Sequence, residues 1–403
     1  MAEKAVLYQI SLEKEFLSKE GWVCYAKPSG IAGPYYDDLP RQGEITGYQL
    51  CAEVSRYQAT RSPDAVYNIH RILQGIEWYF RITAVVGLPA RAMAPSISVD
   101  PSWKWSSASH LLQESDPMVK YHYRSDTPKE QIAVFLVGLS QVCRHLKEYP
   151  ALTRRSAVLL GAMADHLYRH YQSLVGRYGQ KTEGGDFPMW VIMLPGYGEL
   201  PLAHNALACL SAQILAHDAT GESRYKLRAL ELLSNDLMER LKPMRWSTGN
   251  HDNDALCFLS AYSLLQSPNF SERELLRQAM RRLYRAVEGE RNVLWALMTY
   301  EHLPSTDISW VRDALKRFPP SKHGRSVWPT DQIPRRWFTC HGAASAEDPL
   351  ELDQRIMRDF VWTSCPLELA DDNSEIKDQD IAGTDYLYAY WLALRLGVIT
   401  SED

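Results

Sequence analysis

The sequence predicts an all-α protein whose helices pair into hairpins and close into one array. Three observations carry this. About twelve segments place apolar residues at the i, i+3, i+4 spacing of a buried helix face. The links between them are mostly short, which favours antiparallel neighbours. No strict repeat recurs at a fixed period, and no low-complexity linker divides the chain. A solenoid is therefore disfavoured, and a single closed domain is expected.

Composition sets the bounds. The 403 residues are 45% hydrophobic and 23% charged, as in a soluble globular protein. A net charge of −5 without a dense Lys/Arg run gives no reason to expect nucleic acid. No apolar run reaches the roughly 18 residues of a membrane span. Met1 to Ile10 lacks a basic segment followed by an apolar core, so no secretory signal is expected. The 7 cysteines, odd in number and widely spaced, read as reduced thiols. Together these features predict a cytoplasmic protein. The 22 Tyr and 12 Trp outnumber the 9 Phe. Aromatics with a polar edge suit the wall of a polar-ligand cavity, although large helical cores use them as well.

Taken in order, residues 1–44 read as an irregular N-terminal arm: two apolar runs (Val6–Leu12, Gly21–Tyr25), then a Pro- and Gly-rich loop. Residues 45–400 hold the domain. Ile45–Thr60 presents Leu50, Val54 and Tyr57 on one face, and Asp64–Val86 presents Ile69, Ile72, Leu73 and Ile76. Asp126 or Thr127 then caps a helix that runs to Leu146, with Pro128 and the acidic Glu130 in its first turn. Thr153–Val175, Pro201–Ala219 and Glu222–Leu241 follow, the second stopped by Gly221. Asp254–Leu265 pairs with Ser271–Val287, where Ser271 and Glu274 form a capping box. Asn292–Leu303 and Ile308–Phe318 come next. Pro319–Asp380 is less regular, with Leu352–Val361 as a candidate helix, and Thr384–Leu396 ends at Gly397.

Several stretches resemble one family. Tyr57 to Ala65 (YQATRSPDA), with Ile82 to Arg91 (ITAVVGLPAR), is similar to a pattern in bacterial α/α-toroid proteins of the six-hairpin glycosidase type. So are Ser125 to Gln131, Ala219 to Tyr225, and the ending from Gly383 to Ile399. The resemblance runs from about Gly43 to Ile399 and implies an (α/α)6 toroid: six helical hairpins in a double ring with a cavity at one end. Proteins of that shape include glucuronyl hydrolases, uronate-polymer lyases and sugar epimerases. The chain departs from the pattern at Arg41-Gln42-Gly43-Glu44, where the group often carries Asp-x-Asp-Gly. Either Glu44 replaces that carboxylate or the reaction has changed.

The candidate chemistry follows from residue types. Asp126, near His122 and Tyr123, can be a general acid if an aromatic cavity raises its pKa; it can also be the helix cap. Asn250 to Asp254 is a dense polar run, and Asp254 can complete an acid/base pair with Asp126 or serve as an N-cap. His204-Asn205 is similar to the constellation of toroid lyases, in which Asn neutralises a uronate carboxylate and His or Tyr removes the C5 proton. His251 beside Asn250 offers a second such pair. Arg91, Arg335 and Arg336 can fork a carboxylate, Asp385 can reach the cavity, and Trp105, Trp190 and Trp391 can stack a sugar ring. Cys340-His341-Gly342 is similar to the zinc motif of lanthionine cyclases, but the accompanying Trp-Cys segment is absent. No cofactor is therefore expected, with zinc at Cys340 and His341 as the alternative. The chain has no dinucleotide fingerprint, phosphate loop, His-Glu-x-x-His or Gly-x-Ser-x-Gly elbow.

The reading is a carbohydrate-active enzyme acting on a small acidic or unsaturated oligosaccharide, by hydrolysis or elimination. The alternatives are a toroid recruited as a biosynthetic cyclase or lyase on a non-sugar substrate, or a non-catalytic binding toroid. The partner is a small molecule; oligomeric state is not legible.

Overall fold

The computed structural model describes residues 1–28, 30–34, 41–96, 104–112, 116–187, 190–194, 198–201, 203–233, 251–321, 323–324, 352, 360–363 and 379–403. Among them are twelve α-helices. They are α1 (Ala2–Ser11), α2 (Gln42–Thr60), α3 (Pro63–Ile82), α4 (Lys129–His145), α5 (Pro150–Arg169) and α6 (Ala203–Thr220). The second half contains α7 (Ser223–Leu232), α8 (His251–Gln266), α9 (Arg273–Val287), α10 (Val293–His302), α11 (Val311–Arg317) and α12 (Thr384–Arg395).

The even-numbered helices pack neighbour to neighbour, and α12 returns to α2, so they close an inner ring. Each pairs with one outer helix: α2 with α3, α4 with α5, α6 with α7, α8 with α9, α10 with α11, and α12 with α1. This is the expected (α/α)6 toroid, read from the packing of the chain itself. The inner helices run in one direction. Gly43 faces Gln131, Gly47 faces Val134 and Phe135, and Gly138 faces Leu50 and Cys51, so α2 and α4 advance together. A Cβ at Gly47 would lie 2.6 Å from Val134 Cγ1, which shows how closely these two helices approach. Between α8 and α10, Trp295 stacks on Phe258, and Tyr262 further along donates to Glu301. The inner helices therefore begin at one mouth, with Gln42, Lys129, Ala203, His251, Val293 and Thr384.

The N-terminal segment corrects the expectation of an irregular arm. Residues 2–11 are helical and supply the outer member of the sixth hairpin. Ala5, Tyr8 and Leu12 are buried, and Lys4 Nζ donates to the carbonyls of Lys316 (2.9 Å) and Phe318 at the end of α11. The signal was hidden because Val6, Leu7 and Ile10 are exposed, so apolar residues surround the helix rather than marking one face.

Other boundaries also move. No side chain caps α4; Pro128 is its N-cap. Ser271 does not cap α9, whose N-cap is Glu272. The helix α5 ends at Arg169, short of Val175, because Tyr171 and Gln172 adopt left-handed φ of 52° and 62°. There the chain turns into the hairpin β5–β6 (Ser173–Val175, Lys181–Asp186). Before α4 lies a small antiparallel sheet in the order β2-β4-β3: Ala92–Pro95, Tyr121–Arg124 and Ser106–Ser107. Of the candidate helix Leu352–Val361, all but Leu352, Phe360 and Val361 lie outside the described residues. No helix among the described residues is long and apolar enough to cross a membrane.

Candidate functional site

The first turns of the inner helices deliver polar groups to one mouth. Arg41 and Glu44 come from α2, Lys129 and Glu130 from α4, and His204 and Asn205 from α6. His251, Asp252 and Asp254 come from α8. Carboxylates suit this place, because helix N-termini carry unbonded N–H groups and the positive end of the helix dipole. Gln42 fixes the rim. Its Oε1 accepts from Tyr79 Oη (2.7 Å) and Met93 N (2.8 Å), and its Nε2 donates to Met93 O (3.1 Å). A carboxylate at this position would lack the last bond, so the Gln42 departure is explained by packing.

Charges meet across the ring. Arg41 Nη2 lies 3.9 Å from Asp252 Oδ1, while Arg41 Nη1 donates to Thr363 Oγ1 at 3.2 Å. Glu130 is partly buried. Burial pushes its carboxyl above the usual range and the negative Asp252 adds to that; Lys129 and Arg41 pull it down less than the sum. His251 Nε2 lies 2.9 Å from Glu290 Oε2, and its ring stacks on Trp295 at 6.2 Å and 15°. Burial lowers the His251 pKa, but the Glu290 hydrogen bond and charge, with Asp254 and Asp252, raise it above the ordinary value. His204 behaves in the opposite way. It is 3% exposed, and burial followed by the Lys129 ammonium pushes its pKa down to about 3.

Among the expected site residues, Glu44, His204, Asn205, His251 and Asp254 do come to this mouth. Glu44, Asn205 and Asp254 are buried, Asp254 completely (0% exposed), so Asp254 does not face a substrate. Asp252, in the same turn, has a side chain 43% exposed and takes that place.

The expectation for Asp126 is corrected. It neither caps α4 nor has a raised pKa. Arg124 Nε and Arg91 Nη1 each donate to it at 3.1 Å, and Arg124 Nη2 donates as well. Burial raises its pKa, but the Arg124 hydrogen bond and the two guanidinium charges hold it below the usual range. Arg91 is thereby engaged and is no free fork for a uronate. Tyr123 is buried in β4 and its phenol pKa is raised, first by burial, so it stays protonated. His122 pairs with Ala94 and Ser107 in the small sheet, and its buried Nδ1 has no hydrogen-bond partner among the described residues. Trp105 packs on Ala92 and Ala94 of that sheet.

Asp385 is consumed by structure: it accepts from Val361 N (3.2 Å) and Tyr386 N (2.9 Å) in a buried turn. Trp391 lies two turns along α12 from the mouth, beneath the Arg56 guanidinium at 5.7 Å, so it is no sugar platform there. Trp190 lies in the strand Trp190–Leu194. Asn250, Arg335, Arg336, Cys340 and His341 lie outside the described residues. Among the described residues, no group of three or more His, Cys, Asp or Glu is arranged to hold a metal ion.

Sequence reasoning passed over Arg41, Lys129, Glu130, Asp252 and Glu290 as site residues. A signal for Glu130 was present: it occupies the first turn of its helix, as Glu44 does on α2 and Asp252 on α8.

No family model matches the chain, and no curated protein matches it. Solved structures similar to it include a family 9 glycoside hydrolase of Bacteroides ovatus (TM-score 0.49, 11% identity, 99% of this chain and 83% of that one). A cellulase of C. cellulolyticum has TM-score 0.46 and 13% identity over 98% of this chain and 96% of that one. A family 76 glycoside hydrolase (mannosidase) of Bacteroides thetaiotaomicron has TM-score 0.45 and 9% identity over 98% of each chain.

Proposed function

We propose that the protein is a carbohydrate-active enzyme that hydrolyses a glycosidic bond at the inner-helix mouth. Glu130 is the general acid, and Asp252 is the carboxylate that activates water or stabilises the sugar cation. The observation that carries this is the contrast between them. Glu130 sits in a partly buried place that raises its carboxyl pKa above the usual range, while Asp252 is more exposed and pairs with Arg41. Two carboxyl groups at one mouth, one enclosed and one beside a cation, are what glycoside hydrolysis needs.

Elimination fits less well. His204, with a pKa of about 3, is a weak base for abstracting a C5 proton. His251 directs Nε2 to Glu290 rather than to the mouth. Arg41 is paired with Asp252 and Arg91 with Asp126, so both of these guanidinium groups already answer a carboxylate, which favours a neutral sugar over a uronate. The test is a panel of neutral, uronate-bearing and unsaturated oligosaccharides, read by released reducing ends and by ultraviolet absorbance of the C4=C5 double bond. Reducing ends should appear from a neutral sugar with no gain in absorbance. A gain in absorbance would overturn hydrolysis in favour of elimination.

A further inference from the structure

Asp254 is fully buried, and a buried carboxylate needs a compensating charge. His251 stands at the start of the same helix and is coupled to Asp254 and Asp252. Two further contacts favour a cation on its ring. Glu290, from the 3-10 turn Glu288–Glu290, lies 2.9 Å from Nε2, and the Trp295 ring lies nearly parallel at 15°. Both partners are well covered: the His251 side chain is 11% exposed and that of Glu290 19%.

We infer that His251 and Glu290 are a positioning pair: Glu290 holds a proton on His251 Nε2, and the resulting imidazolium holds the first turn of α8, with Asp252 and Asp254, in place. This rests on the hydrolase reading only for its kinetic consequence. Among the described residues, Arg41 at the start of α2 pairs with Asp252 and Glu130 of α4 is coupled to it; Lys129 acts on the same Glu130, and Glu44 acts with Asp252 on Tyr48 of α2. Arg41 reaches Asp252 at 3.9 Å, so His251 shares the task there. Neither residue of the pair touches the scissile bond in this scheme. They act through the carboxylates.

The experiment uses the full chain, the wild type and Glu290→Gln, an isosteric change that keeps a hydrogen-bond acceptor. The His251 ring signal, assigned by its loss in His251→Gln, is titrated by carbon-13 NMR. The wild-type midpoint should lie above that of free histidine and fall in Glu290→Gln, with the thermal transition still cooperative. A wild-type midpoint at or below the free value, or one unmoved by the substitution, overturns the inference. This readout needs no substrate, so it stands even if no sugar is cleaved, an outcome that would sink the hydrolase reading alone. Where cleavage is seen, the acid limb of the rate profile should move up by about half a pH unit or more in Glu290→Gln. A uniform loss of rate with no movement of the limb would mean that the pair is merely structural.

Discussion

Arg41 Nη2 lies 3.9 Å from Asp252 Oδ1, so an ion pair joins the first and fourth hairpins of the ring across the mouth. Arg41 also pulls down the pKa of Glu130. Replacing it removes a cation from both carboxyl groups at once. In Arg41→Met the Glu130 pKa should rise further, so the alkaline limb of the hydrolysis profile should move up by about half a unit. A pH–rate profile of the two proteins reads this directly; an unmoved limb would separate Arg41 from the acid.

Glu130 should also show itself without any substrate. Its folded pKa is raised, so the folded state holds the proton more tightly than the unfolded chain. Stability is then lost as pH rises from the unfolded value through the folded one. Glu130→Gln removes that loss. The variant should melt roughly 2 °C higher than wild type at pH 7 and show no gain at pH 4. Calorimetry at the two pH values checks it.

Asp126 should behave in the opposite sense. Its folded pKa is depressed, so its stabilisation is present above the unfolded value and is lost as pH falls through the folded one. Asp126→Asn leaves Arg91 and Arg124 without their shared partner. The expected cost is about 1–3 kcal/mol at neutral pH, vanishing in acid. Denaturant melts at pH 7 and pH 3 measure the difference.

Tyr8 tests whether residues 2–11 belong to the ring. The side chain is buried, its hydroxyl donates to Pro319 O at 2.8 Å, and its ring lies 5.2 Å from that of Tyr386. Tyr8→Ala should cost about 3–5 kcal/mol in a single cooperative transition. A loss below about 0.5 kcal/mol would fit a dispensable arm instead.

The ring was largely legible in the sequence because its outer helices keep a 3.6-residue pattern, its inner helices are apolar enough to be buried nearly all round, and the links are short. Leu50, Ile72, Leu160 and Leu207, singled out or within predicted stripes, are all buried. The first helix was not legible, since Val6, Leu7 and Ile10 blur its buried face. Asp126 was misread for a different reason. An Asp-Thr-Pro helix start looks the same whether the Asp caps or answers an arginine, and Arg91 comes from a distant loop. Glu130 was overlooked because its perturbation comes first from burial and then from Asp252, and only ring closure supplies either. Asp385 and Trp391 had suitable chemistry, but the register of α12 sends one into a buried turn and the other away from the mouth.

The most direct measurement compares reducing-end release by wild type, Glu130→Gln and Asp126→Asn. All three act on the neutral oligosaccharide that the wild type cleaves fastest, and rates are scaled to folded protein. Glu130→Gln should be slower by at least about 100-fold, and Asp126→Asn should stay within about three-fold of wild type. The reverse order, with Asp126 indispensable and Glu130 replaceable, would contradict the assignment, as would a wild type that cleaves no sugar in the panel.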